Sequence, residues 1–125
     1  MRRDWIPVVI VLAMMIALTV EVHPHSRSDL EEQDSFARRT DTVEFELSAS
    51  EGMSRARFDV RLTMKAGEAR WTLTDPEGQV RLTGHGKRGK IEGDTGDLEP
   101  IPGIWVFRLR LEEATGTYRV NWHAR

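Results

Sequence analysis

From residue 43 onward, apolar and polar side chains alternate with a period of two through six stretches of the chain. These stretches are VEFELSA, RFDVRLTMK, RWTLT, QVRLT, IWVFRLRLE and TYRVNW. Successive side chains of a β-strand point to opposite faces of its sheet, so each stretch has one face for a core and one for solvent. Such strands are typical of antiparallel sheets, which can bury one face and leave the other in water. The pattern therefore predicts an all-β domain.

Turn-forming residues separate the stretches and suggest how many strands there are. The sequence DPEG at Asp75 to Gly78 predicts a hairpin turn, and Gly67 and Gly116 offer further breaks. Six strong strands, with another near Ile91, predict an antiparallel β-sandwich over residues 43–125, jelly-roll-like and of about six to eight strands. Ten apolar residues are expected to pack between its sheets: Phe58, Val60, Leu62, Trp71, Leu73, Trp105, Phe107, Leu109, Tyr118 and Val120.

The N-terminus has a different composition. An apolar run of 16 residues extends from Trp5 to Val20 and follows Arg2 and Arg3. A membrane-spanning helix usually needs about 20 apolar residues, so the run is a short anchor or a long signal-peptide core. We expect residues 1–21 to be a transmembrane anchor or uncleaved signal, which contacts the membrane through residues 5–20. By the positive-inside rule the N-terminus is then cytoplasmic and the rest of this single-pass protein is extracytoplasmic.

The sequence leaves open whether the apolar run is cleaved. Cleavage after the apolar run would instead give a secreted or periplasmic protein. Residues 22–42 are polar and charged, with few residues suited to a core, and they predict a flexible linker.

Composition excludes several classes of function. The chain has no cysteine, which excludes disulfides, cysteine-based zinc sites and thiol catalysis. A formal net charge of -2 gives no global basic field for nucleic acid. His23 and His25 lack a third fixed ligand, so we expect no metal site. The sequence also assembles no nucleophile, base and orienting group, and we expect neither an enzyme nor a cofactor.

The stretch GHGKRGKI, which begins at Gly84, matches two phosphate-loop spacings, G-x-G-x-x-G and G-x-x-x-x-G-K. A phosphate loop needs a helix N-terminus after it, and the glycines and prolines beyond Lys90 cannot sustain a helix. Ile91 also occupies the place of the Ser or Thr that would hold magnesium. We therefore predict no nucleotide binding. The basic loop remains a possible binding surface for an anionic partner such as lipid headgroups or polysaccharide, through His85, Lys87, Arg88 and Lys90.

Two further features suggest chemistry that their surroundings do not favour. Asp94-Thr95-Gly96 resembles the catalytic triplet of dimeric, retroviral-type aspartic proteases, which need two carboxylates that share a proton in a protected cleft. Here the triplet lies among glycines and acids rather than between hydrophobic strands.

The second feature is a set of tryptophans that would form a platform for sugar rings if one were exposed. They are in phase with apolar neighbours and are expected in the core: Trp71, Trp105 and Trp122.

Three groups of turn and core residues resemble small extracytoplasmic β-sandwich modules of the bacterial pre-peptidase C-terminal type and, more distantly, GOLD domains. The groups are Leu73, Asp75, Pro76 and Gly78; Pro102, Gly103 and Trp105; and Gly116, Tyr118 and Val120. The resemblance covers the C-terminal half only. It implies a non-catalytic module that is associated with secreted enzymes or with protein interactions.

Together these features predict a membrane-anchored, extracytoplasmic β-sandwich binding module whose partner is another protein of the cell envelope. A module that binds carbohydrate or another envelope polymer is the alternative. A dimeric aspartic protease built on Asp94 is the least favoured hypothesis.

Overall fold

The computed structural model describes residues 27–125, which form an all-β fold of antiparallel strands. The strands are β1 (Ser28–Ala49), β2 (Ala56–Thr74), β3 (Val80–Gly86), β4 (Gly89–Asp94) and β5 (Gly103–Ala124). Their order in the sheet is β1-β5-β2-β3, and β4 also pairs with β2. The N-terminal half of β2 pairs with β4 and its C-terminal half pairs with β3. One edge of the sheet is therefore β1, and the other is shared by β3 and β4.

The sheet is bent across the middle of its long strands. The pairing of β1 with β5 shifts register between Phe36 and Asp41, and the pairing of β2 with β5 shifts between Met64 and Glu68. Such irregularities insert extra residues on one strand and bend it without ending it. Four residues with positive φ mark the bend: Arg38 (49°), Gly67 (81°) and Glu113 (44°) lie on the three strands that cross it, and Gly89 (84°) lies at the start of β4, after the connection from β3.

The bend divides the sheet into two layers. The first layer contains residues 28–36, 56–64, 89–94 and 116–124, and the second contains residues 41–49, 68–74, 80–86 and 103–111. Aromatic rings of the two layers meet in one core: Phe58 with Phe107 at 5.0 Å between ring centroids, and Trp122 with Trp105 at 5.5 Å. The indole Nε1 of Trp122 also donates to the carbonyl oxygen of Ser48 at 3.1 Å. The fold is therefore sandwich-like, with the core between the layers.

The predicted division between core and solvent faces is confirmed. All ten residues expected in the core are buried, and the most exposed of them is Tyr118 at 7%. The cations on the opposite faces of the same strands are exposed: Arg61, Arg108, Arg110 and Arg119. Val80 is an exception, because it was expected on the core side with Leu82 but is 57% exposed. A register shift next to Leu73 turns it outward.

Two glycines that we expected to separate strands lie inside continuous strands instead. β2 runs through Gly67 and β5 runs through Gly116, so residues 27–125 form five continuous strands, three of them long. A Cβ atom on Gly67 would overlap the backbone of Glu113, and one on Gly116 would overlap the carbonyl oxygen of Thr63. These glycines permit close approach between strands at the bend, which is a different role from that of a turn residue.

Most of the predicted flexible linker is ordered as a strand. Residues 28–42 form the first part of β1 and pair along β5. An edge strand needs few apolar residues, and here Leu30 and Phe36 pack on the core while the carboxylates between them stay exposed. The predicted anchor and residues 22–26 of the linker lie outside the described residues. Within residues 27–125, no helix has the length and apolar character needed to cross a bilayer.

Adjacent residues on opposite faces of β5 provide a test of the register. Phe107→Ala should lower the free energy of unfolding by about 3–5 kcal/mol, because it removes a fully buried ring that contacts Phe58. Arg108→Ala removes only an exposed ion pair with Glu44 and should cost less than about 1 kcal/mol. Urea unfolding followed by tryptophan fluorescence measures both changes. Equal losses would contradict the assignment of these two residues to opposite faces.

Candidate binding surface

The outer face of the first layer carries polar side chains on four neighbouring strands. Residues that pair directly across antiparallel strands project to the same face. One such row contains Gln33, Arg119, Arg61 and Glu92, and the next contains Ser35, Thr117, Thr63 and Lys90. Together the two rows line an open groove of about 640 Å³ that crosses the strands from β1 to β4. We call this feature the outer groove.

The centre of the outer groove is cationic. Arg61 and Arg119 face each other on neighbouring strands, and like charges in this position repel. The Nε atom of Arg61 lies 3.7 Å from a carboxylate oxygen of Glu92, but both side chains are more than 60% exposed, so water screens this pair. Among residues 27–125, Arg119 and Lys90 have no carboxylate within 4 Å. Much of the positive charge is thus free to meet an external anion.

The one acid of the two rows, Glu92, lies at the end of the outer groove on the edge strand β4. Asp34 borders the groove on β1, but it pairs with Tyr118 and therefore projects to the core side, and its Oδ1 atom accepts a hydrogen bond of 2.8 Å from the backbone N–H of Ser35. Across the two rows, the hydroxyls of Ser35, Thr63 and Thr117 and the amide of Gln33 can donate or accept hydrogen bonds. The arrangement suits a polar ligand with its negative charge near the centre.

The four residues predicted as a binding surface are exposed but do not form one surface. His85 pairs with Arg70 on the outer face of the second layer. Lys87 and Arg88 lie at the bend, where the Nζ atom of Lys87 is 3.9 Å from a carboxylate oxygen of Glu68. Lys90 alone reaches the outer groove. The loop is thus divided between the two outer faces, because it connects β3 in the second layer with β4 in the first.

Sequence reasoning missed Arg61 and Arg119 as binding residues. They were recognised as solvent-facing, but they are 58 positions apart in the chain, on β2 and β5. Only the register of β2 with β5 and β4 shows that they meet each other and Lys90. The available signal was the alternation itself, which placed both arginines on outer faces.

The glycines that imitate a phosphate loop make room for side chains. Gly84 pairs with Trp71, and a Cβ atom at this position would overlap the indole ring. A Cβ atom on Gly86 would overlap the side chain of Ile91 in the same way. The loop lies between strands β3 and β4, and Gly89 with its positive φ begins β4. The spacing of these glycines therefore has a packing explanation.

The triplet Asp94-Thr95-Gly96 forms a turn that attaches the end of β4 to β2. Arg57 donates to both carboxylate oxygens of Asp94, at 2.7 and 3.2 Å, and the N–H of Gly96 donates to Oδ1. Thr95 exchanges hydrogen bonds with the backbone of Phe58. The hydrogen bonds from Arg57, then that from Gly96, lower the pKa of Asp94 against the opposing effect of burial.

The surroundings of Asp94 differ from those of an acid pair that shares a proton. Its cross-strand neighbour Asp59 accepts a hydrogen bond from the side-chain amide of Asn121 at 3.0 Å. A shared proton requires that one carboxylate have a raised pKa in a protected cleft, whereas Asp94 has a lowered pKa and a side chain that is 44% exposed. The geometry therefore gives no support to the protease hypothesis.

The DPEG turn packs against the start of β5. The buried carboxylate of Asp75 accepts hydrogen bonds from the N–H groups of Glu77 and Gln79 and from Arg81. Burial acts to raise the pKa of Asp75, but these donors outweigh it, so the pKa is lowered. The guanidinium of Arg81 lies 5.3 Å from the centre of the Trp105 ring, within the range of a cation–π contact. Asp75 and Trp105 belong to two of the three residue groups that carry the sequence resemblance, so these two groups are joined in space through Arg81.

The tryptophans do not offer a platform for sugars. Trp71 is 2% exposed, and Trp105 and Trp122 are fully buried. Stacking on a sugar ring requires an exposed aromatic face, so these three residues cannot supply it.

Comparison with known proteins gives little information about function. No family model matches the chain, and no curated protein matches it either. A solved structure, described as "Bacillus endospore appendages form a novel family of disulfide-linked pili", is similar over 86% of this chain and 96% of its own. The sequence identity is 7% and the TM-score is 0.44, so this similarity carries no argument about function.

The contact between Gly84 and Trp71 leads to a stability prediction. Gly84→Ala should lower the free energy of unfolding by about 1–3 kcal/mol, because the added methyl group overlaps the buried indole ring. It should also shift the emission of tryptophan fluorescence. Gly93→Ala is the matched control, because its Cβ atom would approach the same ring only to 3.3 Å. Chemical unfolding measures both variants. A loss for Gly93→Ala as large as that for Gly84→Ala would contradict the proposed packing.

The ion pair between Arg57 and Asp94 leads to a titration prediction. The carboxyl group of Asp94 should titrate below its ordinary value of 3.8, and Arg57→Gln should move its pKa upward. Because the folded-state pKa is lowered, the stability that ionised Asp94 contributes is present above about pH 4 and lost as the pH falls through the folded value. Carbon-detected NMR of the carboxyl group measures the pKa. Arg61→Gln should leave it unchanged, and an Asp94 that titrates above 3.8 in the unaltered protein would contradict the ion pair.

Proposed function

We propose that this chain is a non-catalytic binding module of the cell envelope that holds an anionic segment of a partner protein in the outer groove. The observation that carries the proposal is the exposed, partly uncompensated charge of Arg61, Arg119 and Lys90, which line one open concavity. Guanidinium groups suit carboxylates because they can donate two parallel hydrogen bonds to each one. A non-catalytic role also agrees with the modules that the C-terminal half resembles.

We further propose that the fold is a jelly-roll-like β-sandwich. If the two halves of each long strand are counted separately, the described chain has eight strand segments. Their pairing order is 1-8-3-6 in the first layer and 2-7-4-5 in the second. This order is that of a double-sheet jelly roll, an architecture that many binding domains share. The outer groove then lies on the solvent face of one sheet.

The proposed membrane tether fits the position where the described chain begins. Ser28 pairs with Ala124, and its Oγ atom is 2.9 Å from Oγ of Ser48, so β1 starts at the end of the layers opposite the bend. An anchor in residues 5–20 would place that end toward the membrane. The outer groove would lie along the side of the module, within reach of a neighbouring envelope protein.

An envelope polysaccharide is the second candidate for the ligand. The observation that favours it is the set of hydroxyl and amide groups around the cations, which could bind the hydroxyls of an acidic sugar. The buried tryptophans count against it, since neutral sugar rings would find no stacking surface on Trp71, Trp105 or Trp122. We therefore place the protein partner first.

Photo-crosslinking in intact cells tests the proposal. A photoreactive amino acid at Thr117 in the outer groove should form a discrete crosslink to one envelope protein, and Arg119→Gln should reduce its yield. The same amino acid at Thr42, which pairs with Arg110 on the outer face of the second layer, is the matched control and should not form this product. Equal products from both positions, or crosslinks to polysaccharide alone, would contradict a protein partner in the outer groove.

A further inference from the structure

We infer that the segment bound in the outer groove is an extended peptide with acidic residues at alternate positions. This inference rests on the proposed function and specifies the chemistry of the partner. It depends on the spacing of the three cations, on the position of Glu92 in the groove, and on a comparison with the other outer face of the sheet.

The cations form a diagonal series across the strands. Arg119 and Arg61 pair directly, so their Cβ atoms are about 5 Å apart. Lys90 pairs with Thr63, two residues beyond Arg61 on β2, and is therefore one strand spacing across and two residues along. That displacement is about 8 Å. In an extended peptide, alternate side chains share one face and are about 7 Å apart. Three acids at alternate positions can thus each reach one cation, because Arg and Lys side chains are long and flexible.

The β4 end of the groove limits the number of charges that fit. Glu92 lies beyond Arg61 on β4. A peptide with an acid at every position would bring one of them close to this carboxylate, and the repulsion would oppose binding. Elsewhere in the groove, the hydroxyls of Ser35, Thr63 and Thr117 can bond to the backbone of a bound peptide. These features favour short, spaced acidic segments over a continuous polyanion.

The outer face of the second layer carries another arginine pair, which has two acids beside it. Arg70 and Arg110 also pair directly across β2 and β5. Glu68 and Glu112 form the next charged pair on the same two strands, and all four side chains line one small cavity of about 170 Å³. The formal charges of these four side chains balance, although no carboxylate lies within 4 Å of Arg70 or Arg110 among residues 27–125. In the two rows of the outer groove, by contrast, Glu92 is the one acid beside three cations, so a bound carboxylate would relieve part of the repulsion between Arg61 and Arg119.

Binding of synthetic peptides to the purified full-length chain tests the inference. The probe is a fluorescently labelled peptide of alternating Thr and Glu with three Glu residues. Its anisotropy should rise on binding and fall again as salt is added. Arg61→Gln and Arg119→Gln should each weaken binding by about tenfold or more, the effect of losing one charge-assisted contact. Arg70→Gln is the matched control and should leave the affinity unchanged. Thermal unfolding of all variants checks that each remains folded.

Three comparison ligands separate the possible outcomes. A peptide with the three Glu residues replaced by Gln should not bind, and one with three adjacent Glu residues should bind more weakly than the alternating peptide. Equal affinity for adjacent and alternating acids would overturn the spacing argument. An equal loss in Arg70→Gln would show non-specific attraction and overturn the site. Binding of polyuronate but of no peptide, with dependence on Arg119, would overturn the peptide class.

These results are distinct from a failure of the proposed function. If crosslinking from Thr117 captures an envelope protein in cells but no acidic peptide binds in solution, the binding module stands and this inference fails. If neither occurs, both fail.

Discussion

The bend across the sheet is the constraint on which the rest of the structure depends. A single layer of these strands would leave one apolar face in water, because Phe58, Leu73 and Phe107 all project to the same side. Folding the sheet onto itself lets that face cover itself, with no helix needed to do so. The residues with positive φ values change the direction of the backbone locally at the bend. Two of them are Arg38 and Glu113, which adopt this conformation at some cost that the closed core offsets.

The bend also explains which parts of the fold could be predicted from sequence. Alternation depends on neighbouring residues, so it identified the core positions from Phe58 to Val120 correctly. A glycine within the alternating pattern is compatible with a bend in a strand or with its end, so Gly67 and Gly116 did not show which of the two occurs. The first part of β1 was missed for another reason. Its apolar contacts come from β5, and acidic residues such as Glu32 and Asp34 do not indicate a strand in the linear sequence.

The candidate site could be predicted only in part, for a physical reason. Lys90 was recognised by its basic neighbours, which are neighbours in the chain and not in space. Arg61 and Arg119 come together through hydrogen bonding between β2 and β5, and their separation along the chain conceals this. The two arginine pairs of the protein would be hard to tell apart from sequence as well. What distinguishes them is the number of acids nearby: two, Glu68 and Glu112, follow one pair on the same strands, and Glu92 alone lies in the rows of the other.

The edge strand β1 affects how copies of the molecule associate with one another. It is 22 residues long, and among the strands of residues 27–125 it pairs on one side only, with β5, which leaves a template from which fibrous aggregates can grow. Because each layer has four strand segments, the next copy could continue the antiparallel alternation by simple translation. Such stacking would bring Arg38 at one edge toward Arg88 at the other and would confine the carboxylates of Glu32 and Asp34. The charges that made this segment look like a linker would thus oppose such stacking, because it would bring like charges together and confine carboxylates.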